Sequence, residues 1–303
     1  MIELIALFLN NLLPIFLIGS AGYFLARWLK VDPKPVSQII FYVFSPCLVF
    51  VLLTENKLED SAVVTMMAFA AVVMLLVGLL TFGAGKLLRL DRSMLSAVLI
   101  TVVFMNAGNY GLPVNRFAFG DEALAYASLY FVTMAILTNS VGVIIASMGT
   151  TSLLQSILGL LRLPTLYALL LGLLFSRLDW TMPLPLDRSV NLLADAAIPS
   201  MLVLLGLQFY QIQWNGLGKA LVLATGLRLL LAPALALGVS LVFGLQGPAR
   251  QAGILESGMP TAVMATILAT QYDVEPSFVT TVVITTTLLS PFTLTPLLAF
   301  LSG

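Results

Sequence analysis

Long apolar runs alternate with short polar interruptions along the whole chain. The apolar stretches fall at about 4–26, 36–54, 61–85, 93–115, 122–146, 164–178, 189–211, 219–243, 249–271 and 277–301. A helix needs about 20 apolar residues to cross a bilayer, so the pattern predicts ten transmembrane helices joined by short loops. The first run does not read as a signal peptide. It opens on Glu3 rather than a basic residue, is longer than a signal's apolar core, and ends in Arg27, Trp28 and Lys30, which suit an interfacial anchor. Residues 147–163 form the longest connection. Leu153, Leu154, Ile157, Leu158 and Leu161 recur there at helical spacing, so the segment is either a plain linker or a short interfacial helix.

The two halves echo one another. Pro14, Gly22 and Arg27 recur as Pro164, Gly172 and Arg177, each 150 residues later. Pro46 in span 2 recurs as Pro199 in span 7. Gly111-Leu112-Pro113 in span 4 recurs as Gly258-Met259-Pro260 in span 9. Equivalent breakers thus stand in helices n and n+5. With an odd number of spans per repeat, the second repeat enters the membrane from the opposite face, which is the inverted-repeat plan of secondary transporters. The expected units are an N-terminal repeat over 1–146, the connection 147–163 and a C-terminal repeat over 164–303. In such a plan the site lies near the midplane, where the interrupted helices of both halves meet.

Composition narrows the class. Of 303 residues, 60% are hydrophobic and 9% charged, far below the roughly 25% charge of a soluble domain. A soluble globular protein and a disordered chain are both excluded. Lys+Arg and Asp+Glu balance at 14 each, which leaves no basic surface for nucleic acid. The chain holds no His and one Cys, Cys47. His metal sites, Ser-His-Asp triads, zinc clusters and intrachain disulfides are thereby excluded. No metal or cofactor is expected, and no catalytic residue, because the spans also lack a carboxylate dyad or a Ser/Lys pair. Basic loop residues orient the chain. Arg27, Lys30, Lys34, Lys86, Arg89, Arg92, Arg162 and Lys219 collect on one side and outnumber Lys57, Arg116, Arg177, Arg188 and Arg250 on the other. The first side is expected in the cytoplasm, and both termini outside an inner, multi-pass cell membrane.

The interruptions carry the candidate chemistry. Span 4 contains Asn106-Ala107-Gly108-Asn109-Tyr110-Gly111-Leu112-Pro113. Pro removes a backbone donor, Gly admits unusual conformations, and Asn is costly in hydrocarbon unless bonded. The stretch is expected to unwind and to line a cavity. A restarting half-helix offers unpaired N–H groups that suit a carboxylate; the freed carbonyls suit a cation instead. Span 9 contains Glu256-Ser257-Gly258-Met259-Pro260-Thr261, with Glu256 in the place of Asn109 relative to the prolines. Glu256 either exchanges a proton during transport or pairs with an arginine. Two further charges lie inside spans, Asp195 and Arg228. A lone arginine at that depth costs at least about 3 kcal/mol, so Arg228 is expected to pair with Asp195 or Glu256, either to hold the scaffold or to take part in coupling. Ser45, beside the breaker Pro46, and Asn139 inside span 5 are weaker binding candidates.

These residues carry a resemblance. Asn106 to Pro113 resembles the span-4 motif of the auxin efflux carrier family, which has many bacterial members. Met259-Pro260-Thr261-Ala262-Val263, followed by Ala269-Thr270-Gln271-Tyr272, resembles its span-9 motif, and Pro46-Cys47-Leu48 and the Asp195 to Pro199 stretch resemble further family patterns. The resemblance covers essentially the whole chain. It implies an all-helical integral membrane fold of ten helices in two inverted five-helix repeats, with helices 4 and 9 broken and crossing. Helices 1, 2, 6 and 7 would form a scaffold and a homodimer contact. Helices 3–5 and 8–10 would form a moving transport domain that exports a small organic anion by an elevator motion. Asn106 matches the crossover asparagine that holds the substrate carboxylate, and Asn109, Pro113 and Pro260 match other crossover positions. Residues 147–163 stand where the plant carriers have a long cytoplasmic loop, and span 3 has no Asp/Lys pair like their supporting site. These departures point to a small carboxylate such as malate or malonate, or to an indole-type acid. The competing reading is a carrier coupled to Na⁺ or H⁺ through Glu256, Asp195 and backbone carbonyls.

Overall fold

A computed structural model describes residues 2–147, 160–210 and 218–303 of the chain. Residues 148–159, most of the expected connection between halves, lie outside the described residues. The architecture is all-helical, and among the described residues it contains no β-strand, only an isolated antiparallel bridge between Met105 and Thr261. In chain order the elements are α1 (Glu3–Leu29), α2 (Pro33–Asn56), α3 (Asp60–Leu87), α4 (Arg92–Val103), α5 (Ala107–Ala146), α6 (Pro164–Arg177), α7 (Leu184–Tyr210), α8 (Lys219–Val242), α9 (Gly247–Ser257), α10 (Met264–Gln271) and α11 (Pro276–Ser302). Seven of these (α1, α2, α3, α5, α7, α8 and α11) are long and apolar enough to cross a membrane.

The rest of the apolar pattern appears as short or interrupted helices. The expected fourth span is cut, but ahead of the stretch expected to unwind: α4 stops at Val103, residues 104–106 are non-helical, and from Ala107 the stretch to Pro113 is helical, first as a π turn, because a widened turn accommodates Pro113 without unwinding. Within α5, Gly120 has φ +79° and ψ −166°, a conformation only glycine adopts without strain. That kink marks the end expected for span 4 and the start expected for span 5. The expected ninth span is cut as well, into α9 and α10. Pro46, by contrast, does not break α2. The helix widens over Ile40–Phe44 to a π turn and then continues, because a proline that cannot donate to the preceding turn is accommodated by longer bonds around it.

Two packing neighbourhoods follow from small residues. α1 lies along α7, and α6 along α2, with α2 also against α7. A Cβ at Gly22 would collide with the carbonyl of Val203, and one at Gly206 with the carbonyl of Gly19. Gly172 similarly faces Leu53 and the backbone at Phe50. Close approach of backbones through glycine is how helices associate where lipid removes the hydrophobic drive. In the second neighbourhood α3 packs on α4, α5, α8 and α9, and α9 packs on α5.

Candidate functional site

The two interruptions meet. Asn106 donates its backbone N–H to the Pro260 carbonyl at 2.7 Å, and Ala262 donates to the Phe104 carbonyl at 2.9 Å. The short antiparallel pairing satisfies backbone groups that neither helix can satisfy internally. Side chains lock it. Thr261 Oγ1 donates to the Thr101 carbonyl at 2.7 Å, and its N–H donates to Thr286 Oγ1 at 3.1 Å. Tyr110 is tied to Ser290 of α11 at 3.1 Å, and Tyr130 to Ser257 of α9 at 3.0 Å.

A cavity of about 140 Å³ lies against this crossing. Asn106, Gly108, Asn109, Ser45 and Asn139 line it, together with Gln208. Apolar walls come from Phe131, Met105, Met134, Met201 and Ile267. Asn106 is 5% exposed, and its Nδ2 has no hydrogen-bond partner among the described residues. Leaving such a donor buried and unpaired costs about 1–3 kcal/mol. Gln208 Oε1 is likewise buried and unpartnered. The first turn of α5 and the residues leading into α10, Ala262 to Met264, also border the cavity. Helix N-termini carry free N–H groups and partial positive charge, so two of them and the Asn106 side chain border a mostly apolar space. The cavity adjoins a cleft of about 1030 Å³ and shares Ser37, Phe41, Asn139 and Gln208 with it. The cleft reaches Asp32, Lys34, Arg162, Gln271 and Tyr272 at helix ends.

The remaining expected site residues stand elsewhere. Gly111, Pro113, Gly258, Pro260 and Thr261 are buried at the crossing but do not line the cavity. Gly111 lies against the Glu256 carboxyl with no room for a Cβ, and Gly258 against Leu297. Pro260 and Thr261 serve the backbone pairing already described. Asn139 lines both cavities while its Nδ2 donates to the Ala135 carbonyl at 2.8 Å. Glu256 is fully buried; its Oε1 accepts from Asn115 Nδ2 at 2.9 Å and its Oε2 has no partner among the described residues.

Two expectations about charge are corrected. Asp195 is exposed on α7 rather than buried. Arg228 is fully buried but pairs with neither Asp195 nor Glu256. It donates through Nη1 to the Val102 carbonyl at 2.7 Å and through Nη2 to the Ser257 carbonyl. Backbone carbonyls freed by the two interruptions supply the compensation that a carboxylate was expected to give. Sequence reasoning missed Gln208 and Asn115. Asn115 had a usable signal, since it continues the run of Asn106 and Asn109 one turn past Gly111 and so faces span 9. Gln208 had none, because only the fold brings the end of α7 to the crossing.

Comparisons with known proteins point to membrane transport. A family model described as membrane transport protein matches residues 7–155 and 147–298. An uncharacterized transporter of Methanothermobacter thermautotrophicus is 26% identical over 262 residues, 86% of either chain. Another, from Methanocaldococcus jannaschii, is 25% identical over 93% of this chain and 95% of its own length. Auxin efflux carrier component 3a of Oryza sativa subsp. japonica is 32% identical over 132 residues, which is 41% of this chain but 21% of that much longer protein.

Proposed function

Because this chain belongs to the membrane transport protein family, the family of the auxin efflux carriers, and is thus a multi-pass membrane transporter, we propose that it moves a small organic anion. The anion binds in the cavity at the crossing. Its carboxylate takes the Asn106 Nδ2 donor and the N-terminal turns of α5 and α10, and its body rests on Phe131 and the methionines. The observation that carries this reading is the buried Asn106 side chain, its Nδ2 unpartnered among the described residues, beside a space bordered by two helix N-termini. Such a site favours negative charge before any ligand enters.

The helices read as ten spans in two inverted repeats. α1, α2, α6 and α7 act as scaffold and dimer contact, and the elements around the crossing move against them. The two packing neighbourhoods support that division. The cleft opens at Lys34 and Arg162, the side that the basic loops assign to the cytoplasm. The conformation is then inward-facing, loaded from the cytoplasm for export.

The test is flux in proteoliposomes with malate, malonate, succinate and indole-3-acetate, with and without Na⁺ and a pH gradient. Saturable transport of one of these, lost in Asn106→Ala while the melting temperature holds, supports the reading. Ion movement without any organic anion refutes it. One observation favours a second reading, H⁺ coupling at Glu256: the Oε2 atom is buried without a partner among the described residues. Glu256→Gln keeps the shape and the Asn115 contact, so flux that loses its pH-gradient dependence in that variant supports coupling there.

A further inference from the structure

One buried cation holds the C-terminal ends of both interrupted half-helices, and the anion reading above makes no use of it. α4 ends at Val103 and α9 at Ser257. Carbonyls at a helix C-terminus lack intrahelical donors and carry partial negative charge. At these two ends Thr101 O is taken by Thr261 Oγ1, and Glu256 O by the Met259 N–H. Val102 O and Ser257 O, one from each half-helix, both accept from Arg228. Arg228 comes from a third element, the π turn Leu227–Leu231 of α8. It is fully buried and lines neither cavity. Ion pairs join Lys57 to Asp179, Arg116 to Asp121 and Arg177 to Asp60, and among the described residues none involves Arg228. A guanidinium keeps its charge in any protein setting.

In carriers built from broken helices, carbonyls at half-helix C-ends are where a coupling Na⁺ is coordinated. We propose that Arg228 is a resident cation at that position: its guanidinium occupies the carbonyl site a coupling Na⁺ would need, so anion transport proceeds without Na⁺. The four helix ends at the crossing then divide their work. The two positive ends border the cavity and await the anion, and the two negative ends are neutralised permanently by the chain itself. Arg228 is a positioning residue in this scheme, since it touches no substrate.

The proposal rests on the anion-carrier reading only for flux, so a binding measurement is made first. Melting curves of the purified wild-type protein are recorded in NaCl and in choline chloride at equal ionic strength. No Na⁺-specific shift is expected. A saturable stabilisation by Na⁺ overturns the proposal. Arg228→Ala should melt several degrees lower and recover saturably with guanidinium or Na⁺, but not with choline. A folded Arg228→Ala that responds to neither cation overturns it. Should that variant yield no folded protein, Arg228→Met decides, since it keeps length without charge. Equal melting temperatures for Arg228→Met and wild type overturn the proposal, and a large loss in Met restored in Arg228→Lys supports it. In proteoliposomes, flux of the transported anion should be unchanged when choline replaces Na⁺. Absence of flux for every anion, with the melting results as expected, counts against the anion reading and leaves Arg228 in its assigned role.

Discussion

At the scale of single residues, the group proposed to bind and the groups that hold the crossing are different. Asn106 Nδ2 has no partner to lose among the described residues, so Asn106→Ala removes a donor at little structural cost. Transport should fall at least about tenfold, the equivalent of roughly 1.4 kcal/mol of binding, with the melting temperature close to wild type. Arg228→Ala leaves Val102 O and Ser257 O buried without donors. Hydrogen bonds to charged groups contribute about 1.5–3 kcal/mol each, so this variant should melt well below Asn106→Ala; equal values would contradict the assignment. Gly111→Ala would drive a methyl into the Glu256 carboxyl. Overpacking of that kind costs about 1–3 kcal/mol, and the double variant Gly111→Ala/Glu256→Ala should show less than additive destabilisation in melting curves, because the clash is gone. Asn106, Asn109 and Glu256 were legible in sequence because polar side chains are costly inside apolar runs. Gln208 and the Arg228 contacts were not, because their partners come from remote elements.

At the scale of elements, proline shapes these helices in two ways. π turns at Phe8–Leu12, Ile40–Phe44, Ala107–Gly111 and Leu227–Leu231 each end two residues before a proline, at Pro14, Pro46, Pro113 and Pro233. The missing donor and the ring widen the preceding turn rather than end the helix. Within the expected spans the chain leaves the helix altogether only at 104–106, just ahead of the Gly- and Asn-rich stretch that ends at Pro113, and at 258–263, around Pro260. The sequence reading named Pro14, Pro46, Pro113 and Pro260 without grading them, and it did not single out Pro233 or the kink at Gly120. A fifth π turn, Thr138–Gly142, has no proline after it, and nothing in the structure explains it. Glycines grade differently again. Gly206→Val should destabilise strongly, since α7 and α1 touch backbone to backbone there. Gly83→Ala on α3, with nothing within 4 Å of the added carbon, should be neutral or slightly stabilising. Melting temperatures of the two variants check the contrast.

At the scale of the whole molecule, the two membrane faces differ. α2 runs 24 residues from the cleft side to the opposite loops, about 36 Å of helix and enough to cross a bilayer. On the far side, exposed pairs join Lys57 to Asp179 at 2.6 Å and Arg177 to Asp60. The hydrogen bond from Lys57, and then its charge, hold the Asp179 carboxyl below its ordinary value. Its contribution is therefore present above the ordinary carboxylate range and is lost as pH falls through the lowered value. Salt should weaken both pairs. For topology, a single cysteine at Lys34 in a Cys47→Ser background should react with an impermeant thiol reagent only from the cytoplasmic side, and one at Lys57 only from outside. The reverse pattern would invert the orientation and turn the cleft outward.

The sequence by itself determined the membrane class, the positions of the apolar helices and, to within a few residues, where two of them are interrupted. Each depends on local physics: the length of apolar runs, the missing donor of proline, and the cost of amides in hydrocarbon. Its motifs also sufficed to point to the family. Only the tertiary structure decided which polar groups meet. It set Asn106 and Gln208 on one cavity, put Glu256 beside Asn115 and Gly111, exposed Asp195, and gave Arg228 two backbone carbonyls in place of a carboxylate. A buried charge takes whatever acceptors the fold brings within reach, and an interrupted helix supplies carbonyls that no reading of side chains reveals.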